Sequence, residues 1–250
     1  MNLFDDIIAT MKATMLAAEH REFDLGADID VWPASSGPEL VLERDAGVEL
    51  GHPAAGSFSL LLWTADPSLV QPNRLTLAGP DIHEFGAKRL PFAKIVLLLV
   101  NGFDENNCHA RHRELSLLQH RLTLKGYMVR AASLYQQEWS RVDRSVLGRG
   151  YGFAGLARPL VRLYGKQPFV QAAELMISTS FFPGPQQFGT LGREAAARIA
   201  AMSRMHKELV FNCSECRYSD VCAEVADLRA MHATLERGRV GNGEADGGGE

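Results

Sequence analysis

Apolar residues recur with a helical period at the start of the chain. They follow one another at spacings of three and four, which predicts an amphipathic helix over residues 3–20. The residues in question are Phe4, Ile7, Ile8, Met11, Met15 and Leu16. Similar spacing predicts later helices at 105–125, 153–164, 191–209 and 226–237.

Short apolar runs between turn residues predict β-strands. They lie at 39–43, 58–64, 74–78, 94–100, 127–133 and 170–179, and the last of them also fits a buried helix over 169–180. The run 94–100 is continuously aliphatic apart from Lys94, as expected for a central strand that is covered on both faces. We therefore expect an α+β fold, in which helices flank a mixed sheet.

The order of these elements predicts four regions. Residues 1–37 hold the N-terminal helix and a linker, and 38–187 form the α+β body. Residues 188–240 form a small helical segment that contains cysteines and is predicted to bind a metal. Glycine and acidic residues dominate 241–250, so we expect this tail to be disordered.

Composition narrows the classes of partner. The 250 residues are 46% hydrophobic and 22% charged, with a net charge of −4, so there is no general attraction for nucleic acid or for a membrane surface. Charged residues interrupt the first twenty positions before a signal peptide or a membrane span is reached. Clustered cysteines point to a reducing compartment, and we expect the protein to lie in the cytoplasm.

Three of the four cysteines lie within ten residues, in the segment FNCSECRYSDVC. Cys213, Cys216 and Cys222 can direct their thiolates at one point, and thiolates select iron–sulfur clusters or zinc. Zinc sites usually supply a second cysteine pair, which is missing here, so a cluster is favoured and zinc remains the alternative. The alternative without a metal is three ordinary, reduced cysteines in a connection between two helices, and their clustering within ten residues disfavours it.

A fourth ligand must come from elsewhere in the chain. His232, ten residues after Cys222, can reach back from the predicted closing helix, whereas His206 and Cys108 are weaker substitutes and the site can also stay open. Cys108 also begins the pattern Cys-His-x-x-His, which ends at His112 and could itself bind a metal on a helix. Its polar neighbours favour a solvated helix start instead.

Basic residues recur between positions 141 and 166. They could contact the phosphates of a CoA-like ligand, although a solvated basic face explains them too. The candidates are Arg141, Arg144, Arg158 and Arg162. No glycine-rich nucleotide fingerprint accompanies them, and no hydrolase motif is found, so catalytic residues are not assigned.

Several short segments, taken in order, resemble the beta subunit of acetyl-CoA synthase from the CO dehydrogenase complex. They are VELGHP at 48–53 followed by SFSLL, LAGPDI at 77–82, LPFAKIVLL at 90–98, GYMVRA around Gly126, WSRVDRSVLGRG at 139–150 and the cysteine segment. The similarity spans about residues 40–235 and is collinear.

The resemblance implies an α+β middle domain joined to a nickel–iron–sulfur domain, which makes acetyl-CoA from CO, a corrinoid-borne methyl group and CoA. Cys213, Cys216 and Cys222 match the first three cysteines of the family's [4Fe–4S] cluster pattern, with a shorter loop before Cys222, and His232 stands at the fourth place. The family's middle domain also offers arginines to CoA. Its later Cys-Gly-Cys motif, which holds nickel, has no counterpart here, so nickel and the full synthase reaction are not expected.

Together these observations predict an iron–sulfur protein that serves as a subunit or accessory protein in C1, CO or acetyl-CoA metabolism. It would act with a protein partner or within a larger complex, and any enzymatic role would be that of an acyl or methyl transferase component beside a partner chain. The alternative is a non-catalytic module in which structural zinc supports docking of a protein or a CoA-like ligand.

Overall fold

A computed structural model describes residues 2–26, 40–84, 89–118, 127–134 and 136–207, together with Ala230. Within these ranges the α+β class is confirmed, because helices pack around two mixed sheets. The helices are α1 (Asp5–Leu16), α2 (Cys108–Leu118), α3 (Arg144–Gly148), α4 (Phe153–Tyr164) and α5 (Pro185–Lys207). The strands are β1 (His20–Asp24), β2 (Ala46–Leu50), β3 (Ser57–Thr64), β4 (Arg74–Ala78), β5 (Arg89–Leu90), β6 (Phe92–Val100), β7 (Met128–Leu134), β8 (Gln137–Asp143) and β9 (Val170–Ser178).

The larger sheet has five strands in the order β1-β4-β9-β6-β3. β4 runs parallel to β9 and β3 runs parallel to β6, while β1 with β4 and β6 with β9 are antiparallel. Nearly every residue of β6 and β9 is buried, as expected for strands with neighbours on both edges and cover on both faces. These two strands form the centre of the core.

The smaller sheet has the order β5-β2-β8-β7 and joins the larger one where β8 meets β3. The Ser57 hydroxyl donates to the Glu138 carbonyl oxygen at 2.8 Å, and the Glu138 N–H donates back to the Ser57 hydroxyl at 2.8 Å. The Ser59 N–H also donates to the Gln136 carbonyl oxygen at 2.8 Å. The two sheets are therefore connected through backbone and side-chain hydrogen bonds rather than through apolar packing alone.

Helices α1 and α2 each pack against α5, and the three helices close part of the core. The buried face of α1 is the apolar stripe that its sequence predicts, with Ile7, Ile8, Met11 and Met15 at most 1% exposed. Phe4 completes this face by packing edge-on against Trp63 of β3, with ring centroids 5.2 Å apart.

Most of the predicted elements are confirmed, with differences that have physical causes. The strands predicted at 58–64, 74–78, 94–100, 127–133 and 170–179 are present, and α4 has the predicted bounds. The helix predicted at 191–209 begins earlier, at Pro185, and the one predicted at 105–125 begins at Cys108. The predicted central strand, β6, lies inside the sheet, but the middle position belongs to β9.

Two predictions near the N-terminus are wrong. The described part of 39–43 is not a strand, because the Asp45 N–H donates to the Leu42 carbonyl oxygen at 3.0 Å and the chain turns before β2. The first helix ends at Leu16, and β1 begins at His20 by pairing with β4. The body also contains two sheets where one was predicted.

Several predictions fall outside the described residues: most of the linker within 1–37, the positions 119–125, all of 226–237 except Ala230, which is helical, and the tail 241–250. None of the helices in the described ranges combines the length and the apolar character needed to cross a membrane.

Candidate functional site

The predicted metal ligands Cys213, Cys216, Cys222 and His232 lie outside the described residues. What the structure describes is α5, which runs to Lys207 and leads along the chain towards them. The assignment of these ligands therefore stays a prediction from their spacing and chemistry.

Helix α5 is fixed to the N-terminal helix by Arg198. This side chain is 4% exposed, and its guanidinium donates to the Leu3 carbonyl oxygen and to both carboxylate oxygens of Asp6, each at 2.7 Å. It also contacts Glu194, one turn earlier on α5. The hydrogen bonds from Arg198 hold the pKa of Asp6 below its usual range. Arg198 thus anchors the middle of α5, the helix that precedes the cysteine segment in the chain, to α1.

Cys108, the fourth cysteine, lies at the start of α2 and is fully buried. Burial raises the pKa of its thiol to about 11, and the thiol donates to the Glu105 carbonyl oxygen, 3.9 Å from Sγ. Metal ligation requires the thiolate, which this environment disfavours. Cys108 is therefore a poor source of a fourth ligand, and the side chain of His206 lies outside the described part of the protein.

The histidines of the Cys-His-x-x-His pattern lie one turn apart on α2. Burial, with a smaller contribution from His109, lowers the pKa of His112 to about 4, so its imidazole is neutral at neutral pH. Within the described ranges, no group of three or more His, Cys, Asp or Glu side chains could hold a metal ion. The pattern therefore lacks the additional ligands that a metal site on α2 would need from this part of the chain.

The four predicted phosphate-binding arginines occupy different environments. Arg141 lies on β8 and is ion-paired, and Arg158 is 3% exposed on α4. Arg144 at the start of α3 and Arg162 on α4 are exposed. Contact of these arginines with a CoA-like ligand stays a prediction.

Two of the segments that carry the family resemblance meet at one point of the smaller sheet. Glu49 of β2 lies opposite Arg141 of β8 in the antiparallel register, and the Arg141 Nε donates to the Glu49 carboxylate at 2.8 Å. His52 packs edge-on against Trp139, with centroids 5.0 Å apart, and the Arg141 guanidinium lies 5.3 Å from the Trp139 ring. VELGHP and WSRV are thus two halves of one cluster.

This cluster holds its charges in place. Burial alone would raise the pKa of Glu49. Hydrogen bonds from Arg141 and from Arg89, whose Nε is 3.3 Å away, outweigh this effect, so the pKa is lowered and the carboxyl stays ionised. His52 accepts from the Ala54 N–H through Nδ1 at 3.1 Å, so its proton lies on Nε2, which faces Glu49 at 3.9 Å. The arrangement stabilises the ionised form of Glu49 and disfavours its protonation.

A third segment of the resemblance, LAGPDI, also has a structural role. The Asp81 carboxylate accepts from its neighbour's N–H, that of Ile82, at 2.6 Å and from the Phe153 N–H at 2.7 Å. Phe153 is the first residue of α4, so Asp81 satisfies a free backbone donor at the start of this helix. A Cβ built on Gly152 would collide with the Asp81 carboxylate, which explains the glycine before α4.

A buried ion cluster between the two sheets was missed by the sequence reasoning. The Lys94 ammonium of β6 contacts the Glu138 carboxylate of β8, and the Arg130 Nε lies 3.4 Å from the same carboxylate. Burial raises the pKa of Glu138, but the charges of Lys94 and Arg130 outweigh it and keep the carboxyl ionised. Lys94, a single charge in an aliphatic run, was the only signal for this cluster in the sequence.

A cleft of about 540 Å³ opens beside the carboxyl ends of β4 and β9, where ligands often bind in α/β sheets. Its wall contains Arg21 and Glu84, which form a two-point ion pair at 2.7 and 2.8 Å. Gly79, with φ of +91°, lets the chain turn away from β4 close to Ser180. The sequence signal for this cleft was Gly79, which was considered only as part of the segment LAGPDI.

The charged groups in these clusters form ion pairs with one another. This arrangement is typical of a structural role and not of a group that transfers protons. Comparison of the chain with protein-family models gives no match, and comparison with curated proteins gives none either.

Proposed function

We propose that this protein binds an iron–sulfur cluster through Cys213, Cys216 and Cys222, with His232 at the fourth position. The observation that carries the proposal is the presence of three of the chain's four cysteines within ten residues. Thiolates at this spacing match the chemistry of iron–sulfur clusters, and the lack of a second cysteine pair disfavours a zinc ribbon.

The described body supports this proposal in two ways. Cys108 is buried with a raised pKa, so the thiols available for a metal are those of the cysteine segment. Arg198 fixes α5 to α1, so the helix that precedes the cysteine segment in the chain is anchored to the body. When bound, such a cluster would supply one-electron transfer or, with a weak fourth ligand, an open iron for a small ligand.

We place the protein in the cytoplasm, as an accessory protein or subunit that works with a partner in C1 or acetyl-CoA metabolism. The cytoplasm keeps thiols reduced. The metabolic assignment rests on the ordered segments that resemble the acetyl-CoA synthase beta subunit. Three of these, VELGHP, WSRV and GPDI, make contacts within the body through Glu49, Arg141 and Asp81, so they support the fold more directly than a reaction.

Anaerobic purification of the full chain tests the proposal. We expect about four iron and four sulfide per chain, a broad visible absorption band and, after reduction, a cluster signal in electron paramagnetic resonance. Cys216→Ser should abolish the signal while the body stays folded. Cys108→Ser is the matched control, because it also removes one cysteine but should leave the iron content unchanged.

Structural zinc is the second candidate, and the observation that favours it is the histidine at the fourth position. Three cysteines and one histidine form a common closed zinc site. One equivalent of zinc without iron or sulfide would contradict the iron–sulfur proposal. Under the zinc alternative, chelation should unfold the segment after α5 and leave no redox signal.

A further inference from the structure

Helices α2 and α5 pack against each other and leave a groove of about 630 Å³ between them. Each helix contributes one stripe of residues at spacings of three and four. The stripe on α2 includes His109, Arg113 and Ser116, and the stripe on α5 includes Arg193, Ala197 and Ala200. A stripe on each of two packed helices is the geometry that receives a third helix.

The floor of the groove favours close helix packing. On α5 it consists of small side chains, Ala196, Ala197, Ala200 and Ser203, with Ile199 beside them. Small residues let helix backbones approach within about 8 Å, so larger apolar side chains of an incoming helix can fill the space. Leu117 of α2, 53% exposed, lies next to Ser116 of the α2 stripe in the chain.

His112 forms part of the groove wall, but its unpartnered ring nitrogen is itself closed off from the groove. It lines the groove, is 7% exposed, and its Nδ1 atom has no hydrogen-bond partner among the described residues. Ser116 uses its own hydrogen to donate to the His112 carbonyl oxygen at 2.8 Å, so it can only accept from His112 Nε2, 3.4 Å away. Nδ1 is therefore an acceptor that lacks a donor.

The rim of the groove is basic. Arg113 and Arg193 are exposed, His109 is half-buried, and no acidic side chain is among the described residues that line the groove. A second copy of this chain that docked through the same groove would bring the same basic rim and would be repelled. Charge complementarity therefore selects an occupant with acidic flanks.

We propose that the groove between α2 and α5 binds an amphipathic helix of a partner protein. The apolar face of that helix lies on the alanines of α5, and its acidic flanks lie against Arg113 and Arg193. This docking does not depend on the metal proposed for the cysteine segment, so either proposal can fail without the other.

Binding of two synthetic peptides to the full chain, measured by fluorescence anisotropy, tests the proposal. Both peptides carry leucine on one helical face, and their flanks are glutamate in one and lysine in the other. We expect the glutamate peptide to bind at least about tenfold more tightly. Equal binding of the two peptides, or binding of neither, would overturn the proposal.

A charge reversal tests whether the basic rim causes the preference for the glutamate peptide. The double variant Arg113→Glu with Arg193→Glu should weaken the glutamate peptide and strengthen the lysine peptide. The double variant Arg44→Glu with Arg162→Glu is the matched control, since it makes the same change in net charge at exposed arginines outside the groove lining. An unchanged preference in the first variant contradicts docking in this groove.

Filling the groove gives a further readout. Ala200→Trp places a large side chain on the half-exposed floor and should abolish peptide binding at unchanged secondary structure. Binding that persists in a folded Ala200→Trp variant overturns the proposal. If this variant does not fold, the charge reversal still decides. Self-association of the unmodified chain that is lost on Ala200→Trp would identify a second copy as the occupant and would likewise overturn it.

Discussion

Lys94 of β6 and Glu138 of β8 form an ion pair that is buried between the two sheets, with both side chains close to 5% exposed. Arg130 contacts the same carboxylate, so two cations share one anion in the interior. Such a cluster gains stability only while every charge keeps its partner, because an uncompensated charge in the core is strongly destabilising.

Glu138→Gln should therefore reduce the free energy of unfolding by about 3–5 kcal/mol, because it leaves Lys94 and Arg130 without a counter-charge. Urea denaturation followed by circular dichroism measures this loss. The matched control is Glu22→Gln, which removes a carboxylate paired with Arg74 on the surface and should cost less than about 1 kcal/mol. Equal effects of the two substitutions would show that burial of the Lys94–Glu138 pair has no energetic importance.

Asp81 and Gly152 should be coupled. Asp81→Ala removes the acceptor at the start of α4 and should cost about 1–2 kcal/mol, and Gly152→Ala should cost a similar amount because its Cβ displaces the Asp81 carboxylate. In the double variant the Cβ no longer meets the carboxylate. The second substitution should then cost much less than it does alone.

Thermal or urea unfolding of the four proteins in this cycle gives the coupling energy. Additive effects, within about 0.5 kcal/mol, would contradict the contact between Asp81 and Gly152.

Glu84 should contribute to stability in a pH-dependent manner. Hydrogen bonds from Arg21 and from the Asp81 N–H lower the pKa of Glu84 from 4.5 to about 2. A folded-state pKa below the unfolded value adds stability that is present above about pH 4.5 and is lost as the pH falls towards 2. Glu84→Gln should therefore reduce the acid-dependent part of the unfolding free energy.

Urea titrations at about pH 6 and pH 3 measure this difference. Glu19→Gln is a suitable control, since Glu19 lines the same cleft and is exposed. An unfolding free energy of Glu84→Gln that falls with acid as steeply as that of the unmodified chain would disprove the assignment.

Arg198 should link the stability of α1 to that of α5. Arg198→Ala removes the bonds to Leu3 and to Asp6 and should destabilise the protein by about 3 kcal/mol. Amide hydrogen exchange in α1 should accelerate more than exchange in β6. Arg193→Ala, on the exposed side of the same helix, should change stability by less than about 0.5 kcal/mol. Protection of α1 that survives Arg198→Ala would contradict the link.

The elements predicted most accurately from the sequence are those whose residues are almost all apolar. β6 is an aliphatic run interrupted only by Lys94, and α4 is mostly apolar and buried on nearly all sides, so both were found with nearly their full bounds. β1 was missed because it is an edge strand with the sequence HREFD, in which no residue is fully buried and no apolar alternation appears.

The strand β8 was missed for a different reason. It does alternate, but two of its three inward residues are the polar Glu138 and Ser140, while the outward face shows Trp139 and Arg141. The apolar pattern therefore does not mark the buried face. A buried ion cluster in this way removes the hydrophobic signal on which strand prediction depends.

The candidate sites were harder to predict because their members are distant in the chain. Glu49 and Arg141 are 92 positions apart, and Lys94 and Glu138 are 44 apart, so no local spacing relates them. Each segment was visible alone, as VELGHP, WSRV or an aliphatic run with one lysine. The strand register brings Glu49 to Arg141, and the contact between the two sheets brings Lys94 to Glu138.

The position of β9 has a consequence for biosynthesis. β9 is the last strand of the larger sheet to be synthesised, yet it lies in the middle, where it alone joins the β1–β4 pair to the β6–β3 pair. Until residues 170–178 leave the ribosome, the growing chain holds two strand pairs whose inner edges are unpaired. A nascent chain at that stage should be the most dependent on chaperones, and translational pausing before β9 should increase aggregation.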